Sequence, residues 1–90
     1  MVVVHFWAKW AVSNAKPVDD TLVALAPAFK NLSFRSCNVD EDLGTALTRE
    51  CGVVTVPSFA VIKNGRKLDV LGGGGGAERL CPLFERWAKL

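Results

Sequence analysis

The stretch Val2–Lys16, VVVHFWAKWAVSNAK, decides the fold. Its apolar start, residues 2–7, is too continuous for a strand with one face in water, so it predicts a strand buried on both faces at the centre of a sheet. In open α/β sheets, function lies just past the carboxyl end of such a strand, here at residues 9–14. The chain there enters a predicted helix, whose first N–H groups have no partner inside the helix.

Length and charge indicate a small globular chain. Ninety residues, half of them apolar, predict a single domain over residues 1–90. The net charge of +2 and the scattered Lys and Arg argue against a nucleic-acid or anionic-membrane surface. No apolar run approaches the length of about 18 residues that crosses a membrane, and no charged leader follows Met1. We therefore expect a soluble, cytoplasmic chain.

The cysteine pattern predicts free thiols. The chain has three cysteines, Cys37, Cys51 and Cys81, and no two of them have CxxC spacing. An odd number cannot all pair with one another in disulfides. The single histidine, His5, cannot complete an ordinary zinc site with them. We expect no metal, no disulfide framework and a reducing compartment.

Helical periodicity follows the opening loop. Ser13 or Asn14 is placed to cap a helix, which Pro27 is expected to kink or end. A second helix is predicted to begin at residues 40–42 and to end at Gly52. Its inward face is expected to carry three side chains: Leu43, Ala46 and Leu47. A last helix, with Pro82 near its first turn, is expected to bury one apolar face: Leu80, Leu83, Phe84, Trp87 and Leu90.

Strand signals separate these helices. A second strand is predicted at Leu32–Val39, a third at Phe59–Ile62 and a fourth at Lys67–Leu71. Asn64-Gly65 between the last two is a two-residue hairpin signal. The predicted order is β-α-β-α-β-β-α, in which the first two strands are parallel and the last two antiparallel.

Two blocks of this chain resemble the thioredoxin family. Phe6–Trp10, FWAKW, is similar to the start of the FWAxWCxxC pattern, and Gly52–Phe59, GVVTVPSF, to the segment carrying the cis-proline. Asn38-Val39-Asp40 fits a strand end between them. The resemblance implies a minimal thioredoxin-like α/β fold, a four-stranded mixed sheet flanked by helices without the family's first strand and helix. The second strand is then an uncovered edge, open to pairing with another chain or to dimerisation.

The resemblance also shows what the reactive loop lacks. Ala11 stands at the family's first cysteine position and Asn14 (or Ala15) at the second, in a loop made of Trp10, Ala11, Val12, Ser13 and Asn14. Dithiol exchange needs a lowered-pKa thiolate and a resolving thiol, so we expect no catalysis there. His5 replaces the family's buried acid. That feature is similar to the N-terminal thioredoxin-like domains of PICOT-type monothiol glutaredoxins.

A peptide groove is implied by the same resemblance. It places a surface tryptophan and a cis-proline beside small residues. The corresponding positions in this chain are Trp10, Ala11, Val56, Pro57, Gly72 and Gly73. In the family the residue before the cis-proline pairs its main chain with an extended peptide, and Val56 retains that position. The leading prediction is a non-catalytic protein-binding or adaptor module, linked to redox homeostasis and without a cofactor.

Two alternatives remain open. In the first, the chain is a thiol oxidoreductase that acts through a displaced cysteine. That cysteine is either Cys81, where a helix N-terminus would lower the thiol pKa, or Cys51. In the second, the chain is the thioredoxin domain of a larger monothiol glutaredoxin. His5 is interpreted as a buried, hydrogen-bonded core residue, with a pH-sensitive group beneath the loop as the alternative.

Overall fold

A computed structural model describes residues 1–11, 20–53, 55–73 and 77–90. The strands are β1 (Val2–Trp7), β2 (Ser33–Asn38), β3 (Ser58–Lys63) and β4 (Arg66–Gly72). The helices are α1 (described over 20–25), α2 (Asp42–Cys51) and α3 (Ala77–Trp87), with short 3-10 turns at Lys9–Ala11 and Ala26–Ala28. Within the described ranges, no helix is long and apolar enough to cross a membrane. The element order agrees with the prediction.

The four strands form one mixed sheet in the order β2-β1-β3-β4. β1 pairs in parallel with β2 and antiparallel with β3, and β3 pairs antiparallel with β4. Asn64 and Gly65 join the hairpin with positive φ angles of 53° and 77°, as the predicted two-residue turn requires. β1 is central and β2 is an edge strand, as expected.

The core is divided between the two faces of the sheet. One face packs on α3 and the segment after α1 through Val3, Phe29, Leu32, Phe59, Val61, Leu80, Leu83, Phe84 and Trp87. The other face packs on α2 through Val4, Phe6, Ala60 and Cys51. Because β1 contributes Val3 to one cluster and Val4 and Phe6 to the other, it is buried on both faces, as its continuous apolar run predicts.

Local end signals place several boundaries correctly. The helical residues 20–25 give way to the 3-10 turn around Pro27, because proline cannot continue the α-helical hydrogen bonds. Gly52 ends α2 in the left-handed conformation, with φ of 71°. Glu41 occupies the N-cap of α2, but its side chain makes no capping hydrogen bond. The predicted cap at Ser13 or Asn14 lies outside the described residues.

The predicted inward face of α2 is wrong at two positions. Leu43 is 88% exposed and Ala46 is also exposed, whereas Leu47 is half-buried. The reason is the buried Gly44, since a Cβ there would lie 1.8 Å from the carbonyl oxygen of Asn38. The backbone of the first turn rests directly on the end of β2, which turns Leu43 outward.

The last helix also differs from the prediction. Pro82 lies in the second turn of α3 because the helix begins at Ala77. The helix ends at Trp87, and Leu90 is 47% exposed. The N–H groups of Lys89 and Leu90 donate three residues back, to the carbonyls of Arg86 and Trp87. This tighter winding takes Leu90 off the apolar face.

Candidate functional site

The exposed tryptophan lies where β1 ends. Trp10 sits in the turn Lys9–Ala11 and is 73% exposed. Its indole Nε1–H donates to Oδ2 of Asp40 over 3.1 Å. Because β1 and β2 are parallel neighbours, their carboxyl ends meet at one edge of the sheet, which brings Asp40 to Trp10. The surface position predicted for Trp10 agrees with the structure.

Trp10 forms one wall of a small apolar pocket. The pocket has a volume of about 110 Å³ and is lined by Trp10, Val39, Thr48, Val53, Thr55 and Val56. The resemblance implies that Trp10 and Val56 lie together, and the structure brings them to the same pocket. The side chains between them and the role of Asp40 are not part of that prediction. For Val39 and Asp40, the available sequence signal is the strand-end match Asn38-Val39-Asp40.

The Val56–Pro57 segment lies against the glycines. The Val56–Pro57 peptide bond is cis, as the resemblance implies, and Pro57 is buried. The Gly73 N–H donates to the Pro57 carbonyl over 2.7 Å, and Gly72 lies opposite Ser58 in the β3–β4 register. The structure therefore places the Val56–Pro57 segment and the two glycines side by side, with Pro57 itself buried.

Close neighbours leave little room for a side chain at the two glycines. A Cβ on Gly72 would lie 3.1 Å from Oγ1 of Thr55. Gly73 has a positive φ of 91°, and a Cβ there would lie 2.8 Å from the Arg79 guanidinium. That guanidinium donates to the Gly72 carbonyl over 2.7 Å, a contact that the sequence does not predict. Arg79 thus fixes the start of the glycine run.

The remainder of the predicted loop is only partly described. Ala11 belongs to the 3-10 turn with Trp10. Val12, Ser13 and Asn14 lie outside the described residues. The sequence alone establishes that positions 9–14 contain no cysteine, because the first cysteine is Cys37.

Comparison with known proteins identifies the family. A family model described as Thioredoxin matches residues 1–85. The chain belongs to the thioredoxin family. It is similar to Glutaredoxin-3 from Bos taurus, at 31% identity over 78 residues, covering 87% of this chain and 22% of that protein. It is 32% identical over 87 residues to Monothiol glutaredoxin-S11 from Oryza sativa subsp. japonica, covering 97% of this chain and 16% of that protein. The thioredoxin-family chain thus spans about a fifth of the length of these curated relatives.

A solved structure supports the same assignment. The solution structure of the oxidised thioredoxin from Plasmodium falciparum aligns with a TM-score of 0.82 and 28% identity, covering 97% of this chain and 80% of that one. The predicted thioredoxin fold, with its four-stranded mixed sheet, is confirmed, as is the relationship to glutaredoxins.

His5 is a core residue of this thioredoxin-family chain. It lies in the central strand β1, is 1% exposed and stacks on the ring of Phe59, with centroids 5.1 Å apart and planes at 16°. Its predicted burial is confirmed. A pH-sensitive role for His5 stays a prediction.

The three thiols are free, and their surroundings raise the pKa of each. Burial raises the pKa of Cys37 and of Cys51, and the nearby Lys67 ammonium only partly opposes this at Cys51. Partial burial and the Glu85 carboxylate raise the pKa of Cys81, whose thiol donates to Glu85 over 3.5 Å. The predicted lowering of the Cys81 pKa is therefore wrong, because Cys81 is the fifth residue of α3 and faces an acid one turn on.

Replacement of Glu85 by glutamine is expected to speed alkylation of Cys81. Without the carboxylate the thiolate is no longer repelled, so the pKa of Cys81 falls and more thiolate is present at a given pH. Iodoacetamide labelling near neutral pH, in a Cys37→Ser, Cys51→Ser background, measures the rate. Glu50→Gln is the matched control, since it removes a carboxylate on another helix and should leave the rate unchanged. An unchanged or slower rate in Glu85→Gln would contradict this account.

Proposed function

We propose that this chain holds an extended segment of a partner protein without performing dithiol chemistry. The surface concerned, called the groove rim here, consists of Trp10, Ala11, Val56, Pro57, Gly72 and Gly73. The observation that carries the proposal is Trp10, which is 73% exposed, fixed by Asp40 and faces Val56 across an apolar pocket. Tryptophans in such positions are enriched among the residues that dominate binding energy.

The pocket beside Trp10 suits one apolar side chain of the partner. The pocket, with a volume of about 110 Å³, is small, and three of its six lining residues are valines. An extended peptide turns alternate side chains to one face, so one anchor in this pocket sets its register.

The main chain of Val56 is available for pairing with that segment. In the part of the chain that the structure describes, no backbone group bonds to the N–H or C=O of Val56. The next residue, Pro57, is tied by its carbonyl to the Gly73 N–H, which holds the segment in place. Strand addition uses backbone groups held in this way, and it requires no cysteine.

The state of the thiols supports binding over catalysis. Thiol exchange needs a thiolate, and raised pKa values keep Cys37, Cys51 and Cys81 protonated at neutral pH. The relocated-cysteine alternative therefore gains no support from any of the three. Relationship to thioredoxins and glutaredoxins supports a redox context for the binding module.

A second candidate follows from the coverage of the relatives. Almost the whole of this chain matches a small part of a monothiol glutaredoxin, 97% against 16%. This supports a role as the thioredoxin domain of a larger glutaredoxin, in which the groove rim presents a client to an attached domain. Sequencing the transcript beyond the codon for Leu90 tests this candidate, and a stop codon directly after it would contradict it.

Trp10→Ala is expected to weaken peptide binding by at least about tenfold, because it removes the aromatic anchor and one pocket wall. The probe is a peptide selected from a random displayed library on the wild-type chain, with its affinity measured by calorimetry. Val23→Ala is the matched control, since Val23 is 76% exposed but does not line this pocket. No selectable peptide, or equal loss in both variants, would contradict the proposal.

A further inference from the structure

Arg79 lies at the glycine end of the groove rim. It is an exposed residue of α3, and its Nη2 group donates to the carbonyl of Gly72 over 2.7 Å. Its Nη1 group adjoins the other glycine, since a Cβ on Gly73 would come within 2.8 Å of it. The guanidinium is therefore anchored on the backbone of the rim, beside two residues that carry no side chain of their own.

Thr55 connects this guanidinium to the apolar pocket. Thr55 is exposed and lines the pocket together with Trp10 and Val56. A Cβ on Gly72 would lie 3.1 Å from Oγ1 of Thr55, so the glycine directly adjoins the pocket wall. The Gly72 carbonyl in turn accepts from Arg79. Pocket, glycine and guanidinium thus follow one another along the rim.

The six residues of the rim carry no charge, but the two ends of the rim differ in their charged neighbours. At the Trp10 end the Asp40 carboxylate holds the indole and Lys9 precedes it in the same turn, so the charges there are mixed. At the glycine end the charged group in contact with the rim is the Arg79 cation. A carboxylate on a bound segment is repelled by Asp40 at the first end and attracted by Arg79 at the second.

An arginine anchored in this way suits one chemical group, a carboxylate. The guanidinium is planar and carries a fork of N–H donors, and a carboxylate accepts a pair of them side by side. Several donors allow the group to contact the Gly72 carbonyl and a carboxylate at the same time. The bond to Gly72 also orients the plane of the guanidinium before a carboxylate arrives.

The position of Arg79 relative to the pocket sets the spacing of the partner's side chains. A single residue, Gly72, separates Thr55 at the pocket wall from the guanidinium. In an extended segment, side chains two positions apart point to the same face and lie about 7 Å from each other. An apolar side chain in the pocket and an acidic side chain at the glycine end are therefore expected two positions apart.

We propose that Arg79 selects partner segments that carry an aspartate or a glutamate two positions from the apolar anchor. This inference rests on the proposed function, since it names the class of segment that the groove rim holds. The anchor occupies the pocket between Trp10 and Val56, and the carboxylate pairs with the Arg79 guanidinium beside Gly73. Arg79 determines specificity in this arrangement, whereas Trp10 supplies the aromatic anchor of the binding site.

A matched pair of peptides tests this inference. Peptides are selected from a random displayed library on the wild-type chain, and we expect enrichment of an acidic residue two positions from the apolar anchor. A selected peptide is then compared by calorimetry with a copy in which the acid is replaced by its amide. The wild-type chain is expected to bind the acidic peptide about fivefold more tightly at low salt, and the ratio is expected to fall in high salt.

Variants of the chain assign this preference to one side chain. Arg79→Gln is expected to abolish the ratio between the two peptides, because an amide can donate to the Gly72 carbonyl but has no charge. Arg79→Glu is expected to reverse the ratio, since like charges then meet. Lys9→Gln is the matched control and should leave the ratio unchanged, because it removes the cation at the Trp10 end. Circular dichroism confirms that each variant is folded before its ratio is measured.

The other outcomes separate this inference from the proposed function. Peptides that lose affinity in Trp10→Ala but show no acidic preference would overturn the inference and leave the proposed function standing. A preference that survives in Arg79→Gln, or that disappears in Lys9→Gln, would assign the carboxylate to another group and overturn the role of Arg79. A library that yields no binding peptide would overturn both.

Discussion

Phe84→Ala is expected to lower the free energy of unfolding by about 4 kcal/mol. Phe84 in α3 is fully buried, and its ring lies at the centre of the larger core cluster. Its centroid is 5.2 to 6.1 Å from those of four other rings: Phe29, Phe34, Phe59 and Trp87. Removing it leaves a cavity between the helices and the sheet that rings anchored on separate elements cannot close.

Urea unfolding monitored by circular dichroism measures this loss. Phe84→Leu keeps most of the volume and is expected to cost only about 1 kcal/mol. Val23→Ala, at a residue that is 76% exposed, is expected to change stability by less than about 0.5 kcal/mol. A loss below about 1 kcal/mol in Phe84→Ala would mean that Phe84 is not the centre of the core.

Gly44→Ala is expected to destabilise the fold by about 3 kcal/mol, although alanine favours helices over glycine by about 1 kcal/mol. The added Cβ would lie 1.8 Å from the Asn38 carbonyl oxygen and 3.2 Å from the sulfur of Cys37. The nearer obstacle is backbone at the end of β2, so the first turn of α2 must move away from the sheet. The sign of the effect is therefore opposite to that given by helix propensity.

Ala46→Gly is the matched control for Gly44→Ala. Ala46 is exposed in the same helix, so glycine there is expected to cost only the propensity difference of about 1 kcal/mol. Both variants are compared by urea midpoint and slope. A Gly44→Ala chain at least as stable as the wild type would show that α2 is not seated on the end of β2.

Local chemistry made much of the fold predictable. Asn64, Gly65 and Gly52 adopt the left-handed backbone conformation, which few other residue types accept, and they mark the hairpin turn and the end of α2. Pro27 cannot continue an α-helix, so it marks the end of α1. The apolar run of β1 is an equally direct signal, because a strand that is buried on both faces carries apolar side chains at consecutive positions.

Positions set by contacts between distant elements were not predictable in this way. Leu43 fits a helical stripe, yet the meeting of Gly44 with Asn38 turns it outward. The position of Cys81 is predicted wrongly, because a proline near the first turn favours a helix that begins close to Pro82. α3 begins at Ala77, so Cys81 lies beyond the helix N-terminus and faces Glu85.

The candidate site was predictable only in outline. The resemblance supplied Trp10, Val56 and Pro57, because those residues belong to sequence motifs. The pocket between them is assembled from α2 and from the segments after β1, β2 and α2, so its composition depends on how these elements meet. Thr48 carries no sequence signal for a binding role.

The hydrogen bond between Trp10 and Asp40 has a consequence for the speed and entropy of recognition. A free surface indole samples several rotamers, and a partner that binds it must restrict them at a cost of about 1 kcal/mol. Asp40 imposes that restriction when the chain folds. Under the proposed function, an arriving segment would meet an anchor that already stands in one orientation, and association would need no search among side-chain conformations. Asp40 would then contribute to binding without contacting the partner.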